Sequence, residues 1–444
     1  MQFKQYPSYK NSGVEWLGDV PEHWEVKKIK RISSVKRGAS PRPINDLKYF
    51  DDNGEYAWVR ISDVTRSNGF LFETEQRLSS LGASFSVKLE PESLFLSIAA
   101  TVGKPCITKI KTCIHDGFVY FPKLNKHRDL LFNIFESKLC FVGLGKLGTQ
   151  LNLNSETVED IYVAIPPESE EKAILGYIQT ETTRIDNLIA KQEKLIELLE
   201  EQRKSIISHA VTKGLNPNAP MKDSGVEWLG EVPEHWTVLK NRHIFNFSKG
   251  LSITKENLQE NGVPCVSYGE VHSKFGFEFN PEINDMKFVS EEYLETSKNC
   301  LLNSGDFIFA DTSEDFEGSG NFSYLNSNSQ VFAGYHTVIA RLKSKQKPRF
   351  FAYIFDSNAH RKQIQTQVKG IKVFSITQGI LKDIYSWLPP VHEQDLIVRY
   401  LDNECKKISL LKAKQIELIE KLKEYRSSII SHAVTGKIDI REFC

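Results

Sequence analysis

Two stretches of this chain are nearly the same. Ser12-Gly13-Val14-Glu15-Trp16-Leu17-Gly18-Asp19-Val20-Pro21-Glu22-His23-Trp24 returns as Ser224-Gly225-Val226-Glu227-Trp228-Leu229-Gly230-Glu231-Val232-Pro233-Glu234-His235-Trp236. A second pair closes each half: Arg203-Lys204-Ser205-Ile206-Ile207-Ser208-His209-Ala210-Val211-Thr212 against Arg426-Ser427-Ser428-Ile429-Ile430-Ser431-His432-Ala433-Val434-Thr435. The chain is a tandem duplication, so whatever fold one half adopts the other must adopt too. Between these anchors the copies diverge. Weaker echoes join Lys36-Arg37-Gly38-Ala39-Ser40 to Ser248-Lys249-Gly250-Leu251-Ser252, Asp63-Val64 to Glu270-Val271, and Ile134-Phe135-Glu136-Ser137 to Ile354-Phe355-Asp356-Ser357. A shared frame with a differing middle suits two modules that read two different targets.

At 444 residues, 40% hydrophobic and 26% charged, the chain is too long for one core. Short apolar runs such as Leu94–Ile98 and Asp306–Ala310, bounded by Pro, Gly, Asn and Ser, predict strands joined by turns. Leu130–Phe135 and Phe350–Phe355 predict short buried helices. The class is therefore α+β, with a globular domain of roughly 140 residues in each half.

Each half then changes character at a Pro-Pro pair, Pro166-Pro167 and Pro389-Pro390, after which Pro and Gly nearly vanish until Gly214 and Gly436. Ile178, Ile185, Gln192, Leu199 and Ile206 share one heptad position, and Glu181, Leu188, Leu195, Gln202 and His209 share another. The second copy repeats this with Leu401, Ile408, Gln415, Leu422 and Ile429, then Glu404, Leu411, Leu418, Tyr425 and His432. A helix from about Ser169 to Ala210 would run roughly 60 Å, longer than one compact domain needs. Its natural partner is the matching helix of the other half, an antiparallel coiled coil with the glycines as C-terminal caps. The linear segmentation is residues 1–165, a domain with its arm; 166–213, a long helix; 214–388, linker, second arm and second domain; and 389–444, a second long helix and tail.

The seven cysteines are scattered, without a C-x-x-C pair, which predicts reduced thiols and neither a disulfide framework nor a zinc site. No apolar run approaches a membrane span and the amino terminus lacks a signal-peptide core, so a cytoplasmic location is expected. Net charge is zero, yet Lys27 to Lys48 and Arg341 to Lys372 are locally basic.

Enzymes acting on DNA need recognisable loops. The Pro-Pro pairs stand in Ile165-Pro166-Pro167-Glu168 and Leu388-Pro389-Pro390-Val391, unlike the Asn/Asp-Pro-Pro-aromatic loop of an adenine methyltransferase. Gly103-Lys104, Gly145-Lys146 and Gly436-Lys437 lack the hydroxyl that follows Lys in a phosphate loop. His23, His235, His209 and His432 have no second ligand at metal spacing and are read as packing residues, the latter two on the helix seam. His115 and Asp116 form an acid–base pair in sequence only, and their nearest counterparts in the second copy are Gly334 to His336, so no shared catalytic dyad emerges. Trp16, Trp24, Trp228 and Trp236, identical in both copies, are read as pins for the arms.

Readout belongs on the variable surface. Lys36, Arg37, Ser40 and Arg42 lie in a Gly-Pro-rich loop, and Lys249, Ser252, Thr254 and Lys255 occupy the equivalent loop of the second copy. Guanidinium groups there can make bidentate contacts to guanine or phosphate. Arg60, Tyr268, Lys369 and Lys372 complete the candidate DNA-binding set.

The S-G-V-E-W-L-G-x-V-P-E-H-W arms, the alternation of variable domain and long helix, and the I-I-S-H-A-V-T helix ends resemble the specificity subunits of type I restriction-modification systems over essentially the whole chain. The resemblance implies two target-recognition domains separated by the antiparallel helix pair, each reading half of an asymmetric, bipartite double-stranded DNA site. It implies a non-catalytic chain, two methylation subunits docked on the helices and motor-nuclease subunits joining for restriction. S-adenosylmethionine, ATP and Mg would then belong to those partners, none of them to this chain. A stand-alone repressor with two fused half-site readers is the alternative, although its middles should match. An adaptor without a nucleic-acid role fits the basic loops poorly.

Overall fold

The computed structural model describes residues 4–144, 153–370 and 373–441, and the chain divides into two compact units, residues 1–193 with 416–444 and residues 194–415. Each unit takes part of both long helices, whereas the linear segmentation gave each helix to one segment.

In the first unit a five-stranded sheet runs in the order Lys36–Arg37, Phe118–Tyr120, Leu94–Ser97, Pro105–Thr108, Phe70–Leu71. A four-stranded sheet follows the order Gln76–Leu78, Tyr56–Val59, Thr112–Ile114, Val87–Leu89. The second unit repeats both orders, with Phe245–Lys249, Thr337–Leu342, Phe307–Ala310, Phe322–Leu325 and Glu278–Phe279 in one sheet. Lys287–Val289, Val263–Val266, Val331–Ala333 and Leu301–Leu302 form its other sheet. Even the parallel pairings recur, Cys113 opposite Trp58 and Phe332 opposite Cys265. Leu94–Ser97 and Phe307–Ala310 are buried on both faces, which is why they read as continuous apolar runs without alternation. Arg128–Glu136 and Pro348–Asp356 are the short helices covering them.

The echo of Asp63 and Glu270 is a capping echo. Arg60 N donates to Asp63 Oδ2 at 2.8 Å and Ser267 N donates to Glu270 Oε2 at 3.0 Å, each acid sitting at the third position of a short helix.

Helix α1 spans Glu168–Lys213 (46 residues) and α2 spans Val391–Val434 (44 residues), each beginning just after its Pro-Pro pair. In the first unit Ile174 and Ile178 of α1 share a core with Ile430, Ala433 and Val434 of α2, and Arg426 Nε donates to Asp186 Oδ1 at 2.9 Å. In the second unit Ile207, Ala210 and Val211 share a core with Ile397 and Leu401, and Lys412 Nζ donates to Glu200 Oε2 at 2.5 Å. The start of one helix meets the end of the other in both units, so each holds an antiparallel pair.

The seam differs from the heptad expectation. Ile178, Ile185, Leu199, Leu401, Ile408 and Ile429 are buried as anticipated, but the companion line is four residues on, at Thr182, Ile189, Ile196, Arg203 and Ala210, and at Cys405, Lys412, Ile419, Arg426 and Ala433. Leu195, Leu411, Leu418 and Tyr425, three residues on, are 39–45% exposed, and His209 and His432 are exposed rather than on the seam. At about 100° per residue a step of four returns within roughly 40° of the starting face and a step of three falls roughly 60° short, so a straight helix buries the former.

Both helices end on the arms. Gly214 (φ +75°) and Gly436 (φ +69°) adopt the left-handed conformation expected of C-terminal caps, and a Cβ on Gly436 would sit 2.4 Å from Pro21 Cδ. The indole N–H of Trp24 donates to Glu170 Oε2 at 2.6 Å, with His23 Nε2 3.0 Å from the same oxygen. Trp236 and His235 repeat this on Glu393 at 3.2 and 2.8 Å. Trp24 and Trp236 are fully buried and Trp16 packs partly buried against the first core, whereas Trp228 is 44% exposed, so the first Trp pins its arm only in the first copy.

Burial pushes the thiols of Cys106 and Cys265 up to about 12 and that of Cys113 to about 11, so they stay protonated. The described cysteines are free thiols. No helix among the described residues is long and apolar enough to cross a membrane.

Candidate nucleic-acid interface

The first domain's basic loop is built on a close approach. Gly38 N donates to Phe118 O at 2.9 Å, and a Cβ on Gly38 would lie 2.2 Å from the carbonyl oxygen of His115, so only glycine lets the loop press against the turn at residues 115–117. Gly250 repeats the contact: its N–H donates to Thr337 O at 3.1 Å and its Cβ would meet Gly334 O at 2.2 Å. The Lys/Arg-Gly echo thus marks one structural joint that sets each variable loop beside the turn before a central strand.

At the first joint Arg37 Nε donates to the carbonyl oxygen of Asp116 at 2.5 Å, Ser40 Oγ donates to Asp116 Oδ1 at 3.2 Å, and Arg42 Nη2 donates to Asp116 Oδ2 at 3.0 Å. Lys36 lies beside Arg37 on the same edge strand, exposed. Arg60, exposed at the start of the helix Ile61–Arg66, places its guanidinium on the side-chain oxygen of Gln76. Ser40, Arg42 and Arg60 line one open cavity of about 610 Å³ together with Gln76, His115 and Asp116, with Phe50 and Trp58 in its wall. Gly117 N donates to His115 Nδ1 at 2.9 Å, which leaves Nε2 carrying the proton in the neutral ring. Burial holds His115 below its usual value against the opposing pull of Asp116.

The second domain differs in chemistry. Lys249, Ser252, Thr254 and Lys255 are exposed, and Thr254 is engaged as a cap, its N–H donating to Asn257 Oδ1 at 2.9 Å. Beyond the Gly250 joint, Tyr268, Tyr335 and His336 gather with ring centroids 5.6–6.0 Å apart, and His336 Nδ1 lies 3.1 Å from Asp311 Oδ1. The backbone of Lys369 bridges Ser375, which in turn pairs with Thr312 beside Asp311. Lys372 lies outside the described residues.

The basic runs are largely consumed by internal pairs. Lys28 and Lys30 meet Asp160, Arg341 meets Asp306, Lys347 meets Asp395, and Arg349 bridges Glu278 and Asp402. Local charge in sequence therefore overstated the cationic surface. Asp116, His115, Gln76, Tyr335, His336 and Asp311 stand beside the candidate residues without belonging to that set. The signal for His115 and Asp116 lies in the sequence as a difference from Gly334 to His336: it argues against a shared catalytic dyad, and divergence between copies is what readout demands. Among the described residues no His/Cys/Asp/Glu group could hold a metal.

The family described as type I restriction modification DNA specificity domain matches residues 21–200 and 233–421, one match for each half. The chain belongs to this family. A type I restriction enzyme MjaVIII specificity subunit from Methanocaldococcus jannaschii is 26% identical over 435 residues, 95% of this chain and 94% of that protein. The EcoKI specificity subunit of Escherichia coli K12 is 23% identical over 446 residues, 95% of this chain and 90% of the relative. Among solved structures, a chain from work on complex assembly and conformational transition of the type I R-M system superposes with a TM-score of 0.68 at 15% identity, over 94% of this specificity chain and 98% of that one. The HsdS subunit from Thermoanaerobacter tengcongensis gives a TM-score of 0.52 at 14% identity with the same coverage. These likenesses establish the two-domain specificity-subunit fold.

Proposed function

We propose that the chain is the DNA-reading, non-catalytic subunit of a type I restriction-modification complex, directing adenine methylation to a bipartite asymmetric site. Each domain reads one half-site. The observation that carries this reading is the repeated joint at Gly38 and Gly250, which offers an Arg/Asp/Gln surface in one copy and a Tyr/His/Lys surface in the other. Identical frames presenting unlike donors and acceptors to a major groove read unlike sequences.

Two methylation subunits dock on the long helices. Support comes from the apolar side chains left outside each seam: Leu195, Leu198, Leu410 and Leu411 in the second unit are 39–56% exposed, as are Ile416 and Leu418 in the first. Those partners supply S-adenosylmethionine, and motor-nuclease subunits supply the ATP- and Mg-dependent steps, in the cytoplasm. The fused-repressor alternative gains nothing from the relatives, all of the quoted ones being specificity subunits.

The test is reconstitution. The purified chain alone is expected to transfer no methyl group to DNA. Combined with its methylation partner it should modify a single bipartite sequence, read by mapping methylated positions in a randomised duplex. Methyl transfer by the chain alone, or modification without sequence preference by the assembled complex, would overturn the reading.

A further inference from the structure

Arg37, Ser40 and Arg42 all end on Asp116. Its carbonyl takes Arg37, and its carboxylate takes Ser40 and Arg42. The Arg42–Asp116 ion pair is open to solvent, with side chains 76% and 41% exposed, so it contributes little to folding. On a surface that binds DNA, a carboxylate would also work against affinity for the phosphate backbone. An explanation other than stability or grip is required.

The shared frame does not require the residue either. The joint aligns Phe118 with Thr337 through the bonds from Gly38 and Gly250, which places Tyr335 where the first domain has Asp116. The carboxylate is therefore a property of the first domain's own surface. It stands in the wall of the cavity that Ser40, Arg42, Arg60, Gln76 and His115 also line.

We propose that Asp116 is a positioning residue for base recognition by the first domain. Its carboxylate sets the Ser40 hydroxyl and the Arg42 fork toward a base edge, and its charge keeps that arginine from settling on backbone phosphate. An arginine tethered through Nη2 retains its other N–H donors for a planar acceptor pair such as guanine O6 and N7, while an untethered one binds any phosphate within reach. The proposal rests on the reading of the chain as a DNA specificity subunit.

The experiment uses the chain assembled with its methylation partners, as wild type, D116A, D116N, and D116A with R42A. Two quantities are read: base preference at each half-site, from methylation of a randomised duplex library, and the salt dependence of binding to a duplex without the site. D116A should bind the site-free duplex several-fold more tightly, with a salt slope steeper by about one phosphate's worth. Its preference should fall about tenfold at one or two positions of one half-site, and stay unchanged at the other. Adding R42A should return site-free binding to the wild-type level. D116N keeps an acceptor and loses the charge, so it should show the tighter site-free binding with a smaller loss of preference. It decides the matter should D116A fail to accumulate. Unchanged preferences, equal loss at both half-sites, or weaker binding to the site-free duplex would overturn the proposal. A wild-type complex without bipartite preference would instead sink the specificity reading itself, an outcome distinct from a silent D116A.

Discussion

Glu170 ties three segments of the first unit together, and its removal should be among the more costly single changes there. Its side chain is 6% exposed and faces the indole N–H of Trp24 at 2.6 Å, His23 Nε2 at 3.0 Å, and the Arg441 guanidinium at 3.5 Å. Glu170→Ala leaves the fully buried Trp24 donor without an acceptor, a cost of about 1–3 kcal/mol. It also removes an acid from the first turn of α1, worth about 0.3–1 kcal/mol against the helix dipole. Relief from burying a carboxylate offsets part of this, leaving an expected loss of about 2–3 kcal/mol. The twin substitution Glu393→Ala should cost less, about 1–2 kcal/mol, because that carboxylate is 21% exposed and its Trp236 contact is longer at 3.2 Å. Urea unfolding followed by tryptophan fluorescence measures both. A cycle with Trp24→Phe isolates the bond: once the indole N–H is gone, Glu170→Ala should cost about 1–2 kcal/mol less. An equal cost in both backgrounds, or a loss under about 0.5 kcal/mol in the wild type, would refute the clasp.

Gly38→Ala and Gly250→Ala should each destabilise their own unit by more than about 2 kcal/mol, because the new methyl meets a backbone carbonyl at 2.2 Å. Gly269→Ala, in the helix Tyr268–Ser273 with open space around it, should be neutral or slightly stabilising, and thermal melts compare the three. His360 is fully buried and burial lowers it to about 3, so the unfolded state takes up a proton first as pH falls below about 6.5. Stability of the second unit should then decline between about pH 6.5 and 3, by about 1.4 kcal/mol per pH unit at most, and His360→Phe should abolish that one-proton slope in urea titrations. Replacing Leu195, Leu198, Leu410 and Leu411 by Glu should prevent co-purification of the methylation subunits while leaving the chain folded by circular dichroism. Retained assembly would place the docking face elsewhere.

Much of the architecture was legible because duplication writes it twice. The arms, the helix starts after Pro-Pro, the terminal glycines and the buried strand Leu94–Ser97 follow from local rules that hold wherever the residues sit. Pairing across the chain was not legible. Whether Leu188 and Leu195 or Ile189 and Ile196 face the partner helix turns on a rotation of a few tens of degrees, which a heptad with apolar residues at both positions leaves open. The charge runs misled for a related reason. Arg341 and Arg349 look available in sequence, but Asp306, Glu278 and Asp402 reach them only when sheet and helix are assembled. Asp116 is the same case at the candidate interface: nothing in a linear pattern brings residue 116 to residues 37, 40 and 42, and the antiparallel pairing of Lys36–Arg37 with Phe118–Tyr120 does so at once. By itself the sequence determined the family, the two-fold repeat and the place of the variable loops, since these depend on residue order and spacing. The tertiary structure alone decided which charged side chains are already paired within the chain, because their partners come from elements that only folding brings together.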